Sequence, residues 1–325
     1  MADRVGNPPE RRGLTQVADL PFAAAPYRGR FAPSPTGALH FGSLIAALGS
    51  CLEARVRGGQ WLLRMEDVDT PRNQPGAADG ILRTLEQHGF VWDGDVLYQS
   101  QRLAAYRAAL DQLISLGLAY GCACSRREIA ESAVAPALDG GMVYPGHCRG
   151  GLRGRPARAW RLRVGEDDTA FIDAIQGRVV QRLARDVGDF VLLRADGLFA
   201  YQLAVTVDDA FQGISAVVRG ADLLASTPRQ MALQVALGLP TPSYAHLPVA
   251  ANAAGEKWSK QTHAPALDAS RAAQNLHAAL DFLGQSPPAD LRRASVAEVW
   301  AWAVAHWSLA RVPRQQVRPA LSLTA

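Results

Sequence analysis

The sequence has no hydrophobic run that approaches the length of a membrane span. A membrane-spanning helix needs about 20 consecutive apolar residues, and polar residues or prolines interrupt every apolar segment well before that length. The stretch from Met1 to Glu10 is polar and lacks the apolar core of a secretory signal peptide. We therefore expect a cytoplasmic protein. Residues 1–26, which contain prolines and glycines, are interpreted as a loose N-terminal extension.

The chain is also poor in cysteine and in net charge. Only four cysteines occur in 325 residues, and three of them lie between positions 122 and 148, which favours a metal site over a disulfide framework. Lysine and arginine number 34 against 30 aspartates and glutamates, a formal net charge of +4. That mild excess is compatible with an RNA partner but does not indicate one by itself.

The regular pattern of the chain begins with a strand, a helix and a second strand. Tyr27–Ala32 predicts a strand, helical spacing follows from His40 to about Arg57, and Gln60–Met65 is an apolar run of strand length. This order is typical of a parallel βαβ unit, so we predict an α/β fold. A right-handed crossover places both strand ends at one edge of the sheet, where ligands bind.

The loop between this first strand and helix has the properties of a phosphate site. Pro33 and Pro35 stiffen the loop, and Gly37 and Gly42 leave the backbone accessible. His40 stands where the helix begins, next to backbone N–H groups that have no partner within the helix. These features predict a site for a nucleotide phosphate. The alternative is a proline-rich turn before an ordinary helix.

The second strand ends in the charged run from Arg64 to Arg72. Asp69, Thr70 and Pro71 on their own are explained by a helix N-terminus and a solvated turn. Glu66, however, would lie beside the phosphate loop, where an ionised carboxylate suits an ammonium ligand.

Cys122, Cys124 and Cys148 provide three soft ligands that can converge on zinc. From chemistry alone, His147 is the better candidate for the fourth ligand, because imidazole is a common zinc ligand and phenol is not. The alternative is that the three are unrelated reduced cysteines. Cys51, in the first helix, is predicted to belong to the core.

Three segments together resemble the glutamyl branch of the class I aminoacyl-tRNA synthetases. The first is Pro-Ser-Pro-Thr-Gly-x-Leu-His-x-Gly, in which Ser43 stands at the position of the second histidine of the general signature, a position that is commonly small in this branch. The second is the Glu66-Asp67-x-Asp69 run, and the third is Lys257-x-Ser259-Lys260. Trp258 and Gln261 depart from the usual third motif, which puts the packing of that loop in doubt more than its chemistry.

The resemblance implies a Rossmann-like parallel-sheet catalytic domain with a zinc-binding insertion and a short helical C-terminal segment. The corresponding division is 1–26 for the extension, 27–245 for the catalytic domain with an insertion at about 121–150, and 246–325 for the C-terminal segment with the Lys-x-Ser-Lys loop and helices. It also implies ATP, L-glutamate and Mg²⁺ as ligands and one structural Zn²⁺.

The same resemblance implies the roles of individual residues. The expected glutamate-binding residues are Arg30, Phe31, Ala32, Pro33, Ser34, Glu66, Tyr201 and Arg219. The expected ATP-binding residues are Gly37, His40, Gly42, Ser43, Lys257, Ser259 and Lys260, with His40 and Lys260 stabilising the pentavalent phosphorus. For zinc it implies Cys122, Cys124, Tyr144 and Cys148, so Tyr144 replaces His147 as the expected fourth ligand.

The short segment after the last motif predicts the RNA acceptor. Beyond Gln261 the chain has helical spacing from Ala264 to Leu283 and from Val296 to His306, where full glutamyl-tRNA synthetases have a long anticodon-binding region. The chain thus resembles the truncated members of the family, which activate glutamate without tRNA and esterify queuosine in the anticodon of tRNA(Asp). We expect a monomer.

Three alternatives are weighed against this prediction. They are a synthetase that charges the acceptor end of a tRNA, a pantothenate-synthetase-like ligase, and a catalytically decayed zinc protein that binds RNA. The charged run at Glu66 and the cysteine cluster disfavour the ligase, and the intact set of site residues disfavours decay.

Overall fold

The computed structural model describes residues 26–132, 135–138, 141–251 and 265–319. Within these ranges, no helix has the length and apolar character needed to cross a membrane. The elements of the first half are β1 (Arg28–Phe31), α1 (Phe41–Val56), β2 (Gln60–Met65), α2 (Ala77–Gln87), β3 (Leu97–Tyr98) and α3 (Leu103–Ser115).

The predicted βαβ unit is confirmed. β1 and β2 are parallel neighbours, with Arg28 opposite Gln60 and Phe31 opposite Leu63, and β3 continues the sheet beside β2 in the same direction. α1 crosses between the strands and is buried along most of its length, because apolar side chains recur on several of its faces. The expected core position of Cys51 in this helix is also confirmed.

The middle of the chain adds antiparallel structure. Its elements are β4 (Ala119–Cys122), α4 (Arg126–Ser132), β5 (Ala159–Leu162), β6 (Asp168–Asp173), β7 (Gly177–Arg182), α5 (Leu183–Asp186) and β8 (Val191–Leu193). β4, β5 and β8 form one sheet in that order, and β6 and β7 form a hairpin whose turn lies between Asp173 and Gly177.

A second parallel pair follows and lies against the first sheet. Its region contains α6 (Tyr201–Phe211), β9 (Ala216–Gly220), α7 (Thr227–Leu237) and β10 (Ser243–Leu247). β9 and β10 pair in parallel with Arg219 opposite His246. The N–H of Ser215 donates to the carbonyl of Arg28 over 3.0 Å, so β9 begins beside β1.

The remaining elements are β11 (Val249–Ala251), α8 (Ala272–Phe282), α9 (Val296–His306) and β12 (Val317–Pro319). α8 begins later than the spacing from Ala264 predicts. Asp268 accepts a hydrogen bond from the N–H of Ser270, which stabilises a short 3-10 turn over Ala269–Arg271 before the α-helix starts.

Candidate active site and metal centre

A cavity of about 390 Å³ opens at the carboxyl ends of β1 and β2, beside the start of α1 and the end of β9. Most of the described residues that the sequence predicted for the substrate site line it: Arg30, Phe31, Ala32, Ser34, His40, Gly42, Ser43, Glu66, Tyr201 and Arg219. The rest of its lining is Ile45, Ala46, Val218, Gly220, Asp222, Leu223, Pro248, Val249 and Ala250.

Some predicted site residues are not part of this lining. The carbonyl of Pro33 accepts the N–H of Glu66 over 2.9 Å. This backbone bond holds the loop against the residue that follows β2. Gly37 has a φ of 137°, in a region that side chains rarely adopt. The Lys-x-Ser-Lys loop lies outside the described residues. The placement of Lys257, Ser259 and Lys260, and of Trp258 and Gln261 beside them, stays a prediction.

The loop after β1 brings His40 to the cavity as the residue that precedes α1. Its backbone is extended, with a φ of −122° and a ψ of 176°, and its carbonyl accepts the N–H of Leu44 over 3.0 Å. The first N–H groups of an α-helix have no acceptor within the helix and form its positive end. The cavity is therefore bordered by a helix terminus that suits an anion.

Four charged side chains form a buried network on the wall of the cavity. The Arg30 Nε–H donates to Asp209 Oδ1 over 3.1 Å, and the Arg64 Nη2–H donates to the same oxygen over 2.8 Å. Arg64 Nη2 is also 3.3 Å from Glu66 Oε1. Arg64 is fully buried and the other three are at most 8% exposed, so the network holds Glu66 rigidly at the cavity edge.

Burial and neighbouring charges shift the pKa values in this network in opposite directions. Burial raises the pKa of Glu66, although Arg64 and Arg30 act against it. Burial also raises the pKa of the Asp209 carboxyl, but the two guanidinium groups outweigh that effect and leave it below its usual value. Burial and the charge of Glu66 raise the pKa of Tyr201 to about 12, so its hydroxyl is neutral at pH 7.

Arg219 enters the cavity from the end of β9 with most of its donors already used. Its Nε–H donates to His246 Nε2 over 3.1 Å, and its Nη2 donates to Thr227 Oγ1 over 2.8 Å. Its Nη1 is buried and has no hydrogen-bond partner among the described residues. The Arg219 side chain is a cation in the lining of the cavity, so it favours an anionic ligand there.

The cysteines predicted to bind metal lie together at the end of β4. The sulfur atoms of Cys122, Cys124 and Cys148 are all within 4.8 Å of one another. The hydroxyl oxygen of Tyr144 is 3.4 Å from Cys122 Sγ and 3.6 Å from Cys124 Sγ, and it accepts the N–H of Cys148 over 3.0 Å. The ring nitrogens of His147 do not belong to the described group of ligand atoms within 4.8 Å.

These distances agree with tetrahedral zinc. Zinc–sulfur bonds near 2.3 Å place two sulfur ligands about 3.8 Å apart, and a zinc–oxygen bond near 2.0 Å places the oxygen about 3.5 Å from each sulfur. Cys124 Sγ and Cys148 Sγ are 3.6 Å apart. The donor set therefore fits the ion without a rearrangement of the backbone.

Comparison with known proteins decides the family. Residues 27–279 match the family described as tRNA synthetases class I (E and Q), catalytic domain. A protein of Dechloromonas aromatica named glutamyl-Q tRNA(Asp) synthetase is 69% identical over 90% of this chain and 98% of its own length. A protein of Chromobacterium violaceum with the same name is 62% identical over 91% of this chain and 98% of its own. The chain belongs to the glutamyl-Q tRNA(Asp) synthetase family.

The solved structures agree with this family. A glutamate-tRNA synthetase from Elizabethkingia anophelis superposes with a TM-score of 0.74 and 25% identity, over 89% of this chain and 67% of that one. The predicted class I fold, with its Rossmann-like parallel sheet, is therefore confirmed, as is the prediction of a synthetase-like ligase.

Arg64 and Asp209 are site residues to which sequence analysis assigned no role. Arg64 lies in β2 and Glu66 directly follows the strand, two residues later, so an extended backbone places both side chains on one face, a signal that was available. Asp209 comes from α6, and its partner Arg64 lies 145 positions earlier in the chain. No local pattern connects residues at that distance, and only the fold reveals the contact.

Proposed function

We propose that this protein activates glutamate with ATP, without tRNA, and transfers the glutamyl group to the queuosine base in the anticodon of tRNA(Asp). The observation that carries the proposal is the cavity in which Arg219, Glu66 and Tyr201 meet at the positive end of α1. The names of relatives that are 69% and 62% identical support queuosine as the acceptor. We further propose a cytoplasmic monomer.

Two arginines, Arg30 and Arg219, and two acidic residues, Glu66 and Asp222, line the cavity, a set that can bind both the carboxylates and the ammonium group of an amino acid. Arg219, a cation in the lining of the cavity, is proposed to bind a glutamate carboxylate. Glu66, held by Arg64, is proposed to accept from the ammonium group. Arg30 is paired with Asp209, so we propose that it adds positive charge to the pocket and keeps Glu66 ionised as the ligand binds.

The adenylation step is proposed to occur between this subsite and the start of α1. An oxygen of the glutamate α-carboxylate attacks the α-phosphorus of ATP, and the bond to the pyrophosphate oxygen breaks. Gly37, Gly42 and Ser43 are proposed to receive the nucleotide with Lys257 and Ser259, and His40 with Lys260 to stabilise the negative charge on phosphorus. Mg²⁺ bound with ATP neutralises part of the triphosphate charge.

We propose that one structural zinc ion is held by Cys122, Cys124, Tyr144 and Cys148, because their donor atoms have the spacing of a tetrahedral site. Such an ion crosslinks the end of β4 to the segment that contains Tyr144 and Cys148, about 20 residues later in the sequence. The division of the chain at residues 26 and 245 remains a prediction.

ATP–pyrophosphate exchange with glutamate and no RNA tests the activation step. We expect exchange with the native protein and a KM for glutamate that rises at least about tenfold in Glu66→Gln, because the ammonium group loses its charged partner. Glu86→Gln, on the exposed face of α2, is the matched control and should leave the KM for glutamate and the KM for ATP unchanged. No glutamate-dependent exchange in the native protein would contradict the proposal.

A transfer assay then identifies the acceptor. We expect labelled glutamate on tRNA(Asp) only when queuosine is present. The structural similarity to a glutamate-tRNA synthetase favours one competing outcome, the charging of tRNA(Glu) at its acceptor end. Equal transfer to tRNA(Glu), or transfer to tRNA(Asp) without queuosine, would overturn the proposed acceptor while the activation step remained valid.

A further inference from the structure

Arg219 is held by a chain of buried hydrogen bonds that reaches away from the cavity. His246 lies opposite Arg219 in the register of β9 and β10, and both side chains are nearly inaccessible to solvent. Behind His246, Asp173 ends β6, and its Oδ2 is 2.6 Å from His246 Nδ1. The hydrogen bonds therefore run from the Asp173 carboxylate to the His246 imidazole and on to the Arg219 guanidinium, which lines the cavity.

The donors and acceptors in this chain determine where the imidazole proton lies. Arginine has only donors, so His246 Nε2 must accept the Arg219 Nε–H at 3.1 Å. The proton of the neutral ring is then on Nδ1 and is donated to Asp173. Thr227 Oγ1, 3.3 Å from His246 Nε2, is compatible with this tautomer because its oxygen accepts from Arg219 while its hydroxyl can donate to the Leu223 carbonyl.

Asp173 is itself fixed by the turn of the hairpin. Its Oδ1 accepts the backbone N–H groups of Ile175, Gln176 and His246 at 3.0, 2.8 and 3.1 Å. A carboxylate with three backbone donors on one oxygen has a single stable orientation. Its other oxygen is thereby aimed at the imidazole.

We propose that Asp173 and His246 are positioning residues that hold the Arg219 guanidinium in place at the cavity wall, where its charge binds a carboxylate of the amino acid. This inference rests on the proposed function. It assigns a role in amino-acid affinity to the β6–β7 hairpin, which supplies the carboxylate of Asp173. Neither residue lines the cavity.

Asp173→Asn is the sharpest variant. It keeps the shape and one oxygen for the backbone donors, but it presents an NH₂ group to Nδ1. The ring must then carry its proton on Nε2, where it faces the Arg219 Nε–H, and the guanidinium loses its anchor. We expect the KM for glutamate in pyrophosphate exchange to rise about tenfold or more, with the KM for ATP within a factor of about two.

Two variants of His246 separate the hydrogen bond from packing. His246→Leu removes the acceptor, whereas His246→Gln can offer its amide oxygen near the position of Nε2. We expect a large increase in the KM for glutamate in the first and a partial rescue in the second. The matched control is Asp168→Asn, at the exposed start of β6, the strand that ends at Asp173. It should change neither the KM for glutamate nor the KM for ATP.

Histidine ¹⁵N chemical shifts provide a readout that does not depend on activity. The native protein should show His246 protonated on Nδ1, and Asp173→Asn should move the proton to Nε2. An unchanged KM for glutamate in folded Asp173→Asn, or equal increases for glutamate and ATP, would overturn the inference while leaving the proposed function intact. If His246→Leu does not fold, Asp173→Asn decides. A native protein without glutamate-dependent exchange would overturn both.

Discussion

At the scale of single residues, His246 makes the stability of the protein depend on pH. Burial, together with the charge of Arg219, outweighs the stabilising effects of Asp173 and Asp222 on the protonated ring and lowers the pKa of His246 to about 4. The unfolded chain has an ordinary histidine pKa near 6.5, so it binds more protons than the folded state between about pH 6.5 and 4. Stability must therefore fall as the pH falls through this window.

The expected loss from this one group is about 2 kcal/mol of the free energy of unfolding between pH 7.5 and pH 5. Urea unfolding measures the free energy of unfolding at the two pH values. Between them, His246→Gln should lose about 2 kcal/mol less of it than the native protein does. His306→Gln, on the exposed end of α9, serves as the control. The same pH dependence in native protein and His246→Gln would mean that the folded state protonates His246 readily.

The sequence predicted three of the charged residues that line the cavity, Arg30, Glu66 and Arg219, but neither Asp222 nor the pairing of the charges. Glu66, Arg219 and Tyr201 were predicted from motifs, and all three line the cavity. Arg30 was predicted as a cation for glutamate, and in the fold two of its nitrogens contact Asp209. Whether an arginine faces a ligand or a protein carboxylate depends on a helix that arrives much later in the chain, which no spacing rule encodes.

At the scale of elements, strong periodicity made the parallel unit predictable, whereas the hairpin was missed. β1, α1 and β2 lie where apolar runs and glycine turns placed them. Half of the residues in each strand of the β6–β7 hairpin are exposed, at every second position, and only one residue of each strand is buried. Its strands consequently lack the apolar pattern that identifies a core strand, although the hairpin supplies Asp173 to the site.

The three cysteines of the metal centre could be predicted because they lie close together in the sequence. The position of Tyr144 depends on a close backbone approach: Gly188 has a φ of 73°, and a Cβ there would lie 2.7 Å from the backbone nitrogen and oxygen of Tyr144. A glycine so far from the cysteines carries no signal of metal binding. Chemistry alone favoured His147, the family resemblance implied Tyr144, and the geometry favours Tyr144.

Substitution separates these two candidates for the fourth ligand. We expect about one equivalent of zinc in the purified native protein and in His147→Ala, because the imidazole is outside the cluster of ligand atoms. Tyr144→Phe should weaken zinc binding, and Cys122→Ser should weaken it more, because thiolate is the stronger ligand. The measurement is metal analysis after dialysis against a graded series of chelator concentrations.

Loss of zinc in His147→Ala with full retention in Tyr144→Phe would reverse the assignment. Less than about a tenth of an equivalent in the native protein would contradict the metal site altogether. Thermal unfolding of each variant shows whether the fold is retained. Cys51→Ser, at a buried cysteine of α1 that is not part of the cluster, is the control for removing a thiol.

At the scale of the whole molecule, the described core consists of two large hydrophobic clusters. One joins β1, α1 and β2 to α8 and α9, and the other joins α3, β8, α6 and α7. The helices near the C-terminus therefore belong to the same packed unit as the helix that begins at the substrate loop. Their helical character was predictable from spacing, but their partner was not, because an apolar stripe does not specify what covers it.

Trp307 is the residue that tests this connection most directly. It follows α9 and its indole Nε1–H donates to Glu53 Oε2 of α1 over 2.8 Å, while Arg57 Nε donates to the other carboxylate oxygen over 2.9 Å. Trp307→Phe keeps an aromatic ring in the core but leaves one oxygen of a buried carboxylate without its partner. We expect the free energy of unfolding to fall by about 1–3 kcal/mol.

Urea unfolding followed both by far-ultraviolet circular dichroism and by tryptophan fluorescence measures this loss. Because α1, α8 and α9 share one cluster, both probes should report a single coincident transition in the variant as in the native protein. Trp302→Phe, a half-buried tryptophan of α9 that stacks on His306, should cost clearly less. A loss in Trp307→Phe no larger than in Trp302→Phe, or a separate early transition, would mean that the C-terminal helices fold independently of the substrate-binding sheet.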